Sequence, residues 1–270
     1  MNLKKSIPTA VMTLILSLMA LYASLLGVLD ETLYKDVFLA GSLAEKLIAG
    51  SMAQDIISIP ASLILAFLSL SFMKHHGEKT FIALLGLAGY FLYGYGLYTI
   101  QGQYSTLYLV YLGIFGLSLY SLIFGLLSFE PESVKYYQLP RSLQTAISIF
   151  MILILIVLVP LWIIFINADI AKHIPRDTYA VFLLDLCVVF PAFGIIIYQL
   201  LRNKPFGNIL AGVALFKAGT LCLSVAFGEW FGPHYGGYEA NSFNITLFGV
   251  LTAVSLVLTI LYIRKLRTLQ

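Results

Sequence analysis

Apolar residues dominate this chain in eight long runs, at residues 9–29, 47–73, 80–100, 105–127, 142–166, 178–201, 206–228 and 242–263. Each run is close to the ~20 residues that an α-helix needs to cross ~30 Å of hydrocarbon. Between them lie polar stretches, some as short as residues 74–79 and 101–104. A segment inside lipid must satisfy every backbone N–H and C=O within itself, which leaves a helix as the conformation for a run of this kind. The pattern predicts an all-α, polytopic transmembrane helical bundle of eight spans forming one integral membrane domain over residues 1–270. The first run follows Lys4 and Lys5, as a signal peptide would, but it is long for a signal sequence. Ala20 and Ala23 also have the wrong spacing for a cleavage site, so it is expected to remain as a span.

Composition sharpens this picture. Of 270 residues, 60% are hydrophobic and 11% charged, and mean hydropathy is +0.93, far from the quarter-charged make-up of soluble domains. The bilayer is therefore the expected partner. A net charge of +3, with basic residues confined to short loops, argues against nucleic acid. Lys4, Lys5, Lys74, Lys79, Lys135, Arg141, Arg202, Lys204, Arg264, Lys265 and Arg267 fall on one side of an eight-span chain, and Lys35, Lys46, Lys172 and Arg176 on the other. The positive-inside rule then places both termini in the cytoplasm. His75, His76, His173 and His234 lie in predicted loops and suggest no metal site, and Cys187 and Cys222 fall in apolar runs. No cofactor is implied.

Three ionisable residues interrupt the apolar runs: Asp55, Asp185 and Lys217. Each costs on the order of 2.5–3.5 kcal/mol at the middle of a spanning helix, so each should face protein and find a partner. Around Asp55, Ser51, Ser58, Ser62 and Ser69 share one helical face, with Pro60 just beyond. In the seventh span Ala214, Lys217, Thr220, Ser224 and Gly228 form a second polar and small face. Tyr90 lies ~15 Å from its helix end, too deep for an interfacial aromatic belt, so its hydroxyl needs an internal partner. Gly86, Gly89 and Gly96 offer close approach to a neighbouring helix. The apolar residues among the charges at 30–46, with Val37, Phe38 and Leu39, suggest a helix at the membrane surface.

Counting along each run puts all three charges in one outer-leaflet layer. The expected site is a single Asp55/Lys217/Asp185 cluster between the second, sixth and seventh spans, opening outward, with Gln54, Ser58, Tyr90, Tyr93 and Thr220 as further candidates for binding a substrate or ion. Two acids and one base leave it at −1, a balance that one proton or cation restores. This favours a transporter of a small polar solute coupled to a proton or cation. The alternative is a structural or sensory scaffold, or a partner subunit, in which Asp–Lys pairs only hold the bundle. An enzyme is disfavoured, and a chromophore bound to Lys217 would rest on that one residue.

The second and third spans, with Asp55, Pro60 and a glycine-rich helix, resemble the sixth and seventh, with Asp185, Pro191, Gly207 and Gly212. On this repeat the chain divides into two four-helix halves of the same orientation. The residues Ala53-Gln54-Asp55, the stretch from Gly89 to Tyr98, and Leu184-Asp185 with Pro191 also resemble a group of uncharacterised bacterial multi-pass membrane proteins. That resemblance implies the cytoplasmic membrane of a prokaryote and carries no activity.

Overall fold

The computed structural model describes residues 3–30, 32–41, 44–237 and 239–268. In chain order the helices are α1 (Leu3–Leu29), α2 (Thr32–Leu39), α3 (Glu45–His75), α4 (Glu78–Ile100), α5 (Tyr108–Leu127), the single turn α6 (Pro131–Val134) and α7 (Arg141–Lys172). There follow α8 (Tyr179–Leu184), a π-turn (Asp185–Val189), α9 (Phe190–Leu201), α10 (Pro205–Gly236) and α11 (Ser242–Lys265). Among the described residues eight helical stretches are long and apolar enough to cross a membrane, α8, the π-turn and α9 together making one of them. The chain is an all-α multi-pass bundle.

Several helices outrun the apolar stretches that predict them. α7 continues to Lys172, two turns beyond residue 166, and α10 to Gly236, two turns beyond residue 228. At α7 the reason is local. Arg176 grips Asp169 through two bonds of 2.8 and 3.0 Å and donates to the Phe165 carbonyl at 3.0 Å, tying the loop to the last helical turns. Both α3 and α7 end on a histidine in the left-handed region, His76 (φ 53°) and His173 (φ 54°). Its N–H then closes the last turn, as glycine does at most such ends.

α4 is the hub. The most apolar stretch within it is 78% buried, against 17% for α7, and it packs on α5, α10 and α3. Glycines set those distances: a Cβ at Gly86 would collide with Phe216, and one at Gly212 with Tyr262 and Ile82. α1 packs on α3 and α4 on α5, just as α7 packs on α9 and α10 on α11, with α4 against α10 across the middle. The likeness is incomplete, since α1 and α5 pack closely while α7 and α11 barely touch.

One end of the bundle is fastened by polar side chains on helix C-termini, where carbonyls lack helical partners. Arg141 donates to the Leu200 and Leu201 carbonyls at 2.9 and 3.2 Å, and Lys79 to that of Ile263 at 2.7 Å. Beneath them Gln144 donates to Asn208 (2.9 Å), Asn208 to the Tyr137 carbonyl (2.8 Å), and Tyr262 to the Asn208 carbonyl (2.9 Å). A two-residue antiparallel ladder, β1 (Tyr137–Gln138) with β2 (Arg267–Thr268), closes this end.

Candidate functional site

The structure arranges the three intramembrane charges as two sites, one on each side of α4. Asp55, on α3, is 1% exposed. Its Oδ2 accepts a short hydrogen bond from the Tyr34 hydroxyl, and the Tyr98 hydroxyl lies 3.4 Å from Oδ1 while donating to the Ser51 carbonyl at 3.0 Å. Tyr34 comes from α2, the surface helix, which buries Leu33, Tyr34 and Val37 on one face. Burial pushes the Tyr34 hydroxyl well above the ordinary phenol range, and the Asp55 charge adds to that shift, so this hydroxyl is a donor. The rings of Tyr34, Tyr95, Tyr98 and Tyr111 pack on one another in tilted and edge-to-face contacts near the carboxylate, with centroids 5.1–6.4 Å apart. Tyr95 extends the network, its hydroxyl 3.0 Å from that of Ser24 on α1. Gly27 supplies the room, because a Cβ there would strike the Asp55 carboxylate itself.

The polar face of α3 is real. Ser51, Asp55, Ser58, Ser62 and Ser69 are all buried. Ser58 meets the Tyr90 hydroxyl at 2.9 Å, which is the internal partner that Tyr90 requires, and Ser69 meets Thr13 of α1 at 2.9 Å. Gln54 packs where α3 crosses α4, so that a Cβ at Gly94 would come within 2.7 Å of its amide nitrogen.

Asp185 lies on the other side of α4, at the first residue of the π-turn. Pro191 has no N–H for the Cys187 carbonyl, and its ring crowds that carbonyl. The chain absorbs the conflict with one extra residue in the turn, and the Phe190 N–H bonds to the Asp185 carbonyl five residues back. The Asp185 side chain accepts from Trp162 Nε1 of α7 at 2.8 Å. Tyr93 and Lys217 are both close enough to act electrostatically on the carboxylate. Lys217 projects from α10 with its stem against Gly89, where a Cβ would sit 3.3 Å from Lys217 Cγ, and its Nζ lies 4.5 Å from the centre of the Tyr93 ring. Among the described residues its Nζ makes no ion pair within 4.0 Å and no hydrogen bond, and it lies over an aromatic face. Thr220, one turn away, spends its hydroxyl on the Phe216 carbonyl of its own helix at 3.0 Å.

The single Asp/Lys/Asp cluster expected from the sequence is therefore corrected. Lys217 interacts with Asp185, and the groups acting on Asp55 are Tyr34, Ser24 and Tyr98. The physical reason is the third span. Tyr93 faces Lys217 and Asp185, while Tyr95 and Tyr98 face Asp55; residues two apart on a helix point ~200° apart, so α4 turns different faces to the two acids. Tyr34, Trp162 and Tyr98 are the participants the sequence left unassigned. The i, i+1, i+4 apolar pattern of Leu33, Tyr34 and Val37 marks a buried face in the surface helix, but it does not say which hydroxyl reaches Asp55.

A groove lies close to Asp185 in the chain. Mainly apolar and of about 540 Å³, it runs between α7 and α8, lined by Ile166, Asp169, His173, Phe182, Leu186 and Cys187 among others. Phe182, in this lining, packs at a tilt against Trp162, the indole that donates to Asp185, with ring centres 5.0 Å apart. Among the described residues no group of three or more His, Cys, Asp or Glu side chains is placed to hold a metal ion.

Fold and site define a polytopic membrane protein with two buried acids in unlike settings. Comparison with family models, with curated proteins and with solved structures finds no match for this chain.

Proposed function

We propose that the protein is a transporter of a small polar solute in the cytoplasmic membrane of a prokaryote, coupled to a proton or cation, with both termini cytoplasmic. Asp185, Lys217 and Tyr93 form its working site. The observation that carries this reading is Lys217: an ammonium deep within a spanning helix, set on an aromatic ring with no acceptor among the described residues. A buried cation without an acceptor is costly, and a solute carboxylate, phosphate or carbonyl would supply one. Asp185 supplies the opposite charge across Tyr93, on a helix whose regular hydrogen bonding is already interrupted. Packing adds support, because α7 rests mainly on α9 and is little buried by the rest, so this layer has few contacts to break if it shifts against the α4 hub.

The test is proton flux into proteoliposomes challenged with a panel of amino acids, sugars and organic anions. The expected result is a solute-dependent flux in the wild type that Lys217→Met and Asp185→Asn both abolish. Flux that survives both substitutions, or no response to any solute in folded protein, removes the proposal.

The structural alternative is favoured at Asp55. There the carboxylate is enclosed by tyrosines from α2 and α4, and Asp55 serves to pin the surface helix to the bundle.

A further inference from the structure

We propose that a groove at the capped end of the bundle binds an anionic phospholipid from the adjoining leaflet. The groove, of about 630 Å³, lies between the end of α5, α6 and the turn joining α9 to α10. Its lining combines two chemistries: apolar Leu126, Leu127, Phe129, Val134, Pro205 and Phe206, and polar Lys135, Lys204 and Gln199.

Position, charge and shape point to the same occupant. α5 ends at Leu127 and α10 begins at Pro205, so the groove sits where spanning helices leave the hydrocarbon and phospholipid head groups begin. It carries two ammonium groups and no carboxylate in its lining. Both rest on tyrosine rings, Lys135 at 5.2 Å from the Tyr136 centre and Lys204 at 5.0 Å from that of Tyr198, where Arg202 also lies at 5.9 Å. Among the described residues neither lysine pairs with an acid within 4.0 Å. Glu130 and Glu132, beside Pro131, are the nearest acids in sequence and are not part of the lining. Between the lysines and the apolar wall a phosphodiester would meet two cations while its acyl chains lie on leucine and phenylalanine. Basic pockets between spanning helices bind anionic lipid head groups in this manner. Free phosphate would satisfy the lysines alone and leave the apolar wall unused. Because Lys135 directly follows α6 and Lys204 stands on the α9–α10 turn, the lipid would bridge the segment after α5 to the start of α10.

The experiment is native mass spectrometry of the purified full chain with equimolar phosphatidylglycerol and phosphatidylcholine. It compares wild type with Lys135→Gln/Lys204→Gln and with a charge-matched control, Lys74→Gln/Lys265→Gln, at the same end but outside the groove. The expected result is preferential retention of phosphatidylglycerol, weakened about 5-fold per groove lysine, the equivalent of ~1 kcal/mol each, and changed less than about 2-fold in the control. Equal loss in both double variants would reduce the effect to general surface charge and overturn the proposal. So would equal binding of the two lipids, or displacement of phosphatidylglycerol by inorganic phosphate. Should the groove variant fold poorly, single variants and the rise in melting temperature that phosphatidylglycerol gives the wild type, absent with phosphatidylcholine, decide the same question.

Discussion

Asp55 and Asp185 are both carboxylates inside spanning helices, yet their surroundings differ in kind. Asp55 sits in an unbroken helix, 1% exposed, and takes its donors from tyrosines of α2 and α4. Asp185 sits on a widened turn with one indole donor, and Tyr93 and a lysine that lies over the Tyr93 ring both act on it. A buried carboxylate can thus be settled by neutral hydroxyls, with no cation present, when an amphipathic surface helix delivers one. Where the helix is irregular and the counter-charge stands off, the same group keeps unused interaction capacity, and that is the condition for binding something else.

The comparison predicts effects of different size. The largest is expected from Gly27→Leu, which forces a side chain into the space of the Asp55 carboxylate and Tyr34. A loss of about 3 kcal/mol, the upper end for overpacking, should appear as a large fall in melting temperature in detergent. An unchanged melting temperature would mean that the Asp55 nest is looser than described. Next, Asp55→Leu leaves the Tyr34 hydroxyl without its acceptor, while Tyr98 keeps the Ser51 carbonyl, and should cost about 2 kcal/mol, whereas Asp185→Asn keeps an acceptor for Trp162 and should cost less than about 1 kcal/mol. Equal costs would erase the distinction between the two acids.

Smaller still is the coupling measured by double-mutant cycles. Lys217→Met combined with Asp185→Asn should depart from additivity by ~0.6–1.7 kcal/mol, the range for polar contacts between spanning helices. Combined with Asp55→Asn it should add within ~0.5 kcal/mol, as separate sites do. Coupling of Lys217 to Asp55 would restore the single cluster in place of two separate sites. Finally, with little effect on stability, a membrane-permeant maleimide should label Cys187, which is exposed on the groove beside α7, well ahead of the partly buried Cys222. Similar labelling rates would show that solvent or lipid reaches Lys217 as readily as it reaches the groove.

Much of the fold is legible in the sequence because a spanning helix is a local object. Apolar length alone places all eight, the serine face of α3 follows from helical periodicity, and the need of Tyr90 for an internal partner follows from its depth. The helix ends at Lys172 and Gly236 are less legible, since outside the bilayer hydropathy no longer marks a helix and contacts such as Arg176–Asp169 decide. The site is legible in its parts and not in its assembly. Asp55, Asp185 and Lys217 stand out as charges in apolar runs, but depth along a helix says nothing about azimuth. Which face of α4 each one meets depends on how eight helices pack, and that is set by glycines such as Gly86 and Gly212 acting at long range in the chain.

α4 bears Tyr93 on one flank and Tyr98 on the other, so a single rigid rod carries aromatic partners for both intramembrane acids. Whatever fixes the rotation of that rod about its own axis fixes both tyrosines together, and the two sites share a common mechanical reference although their acids have different neighbours.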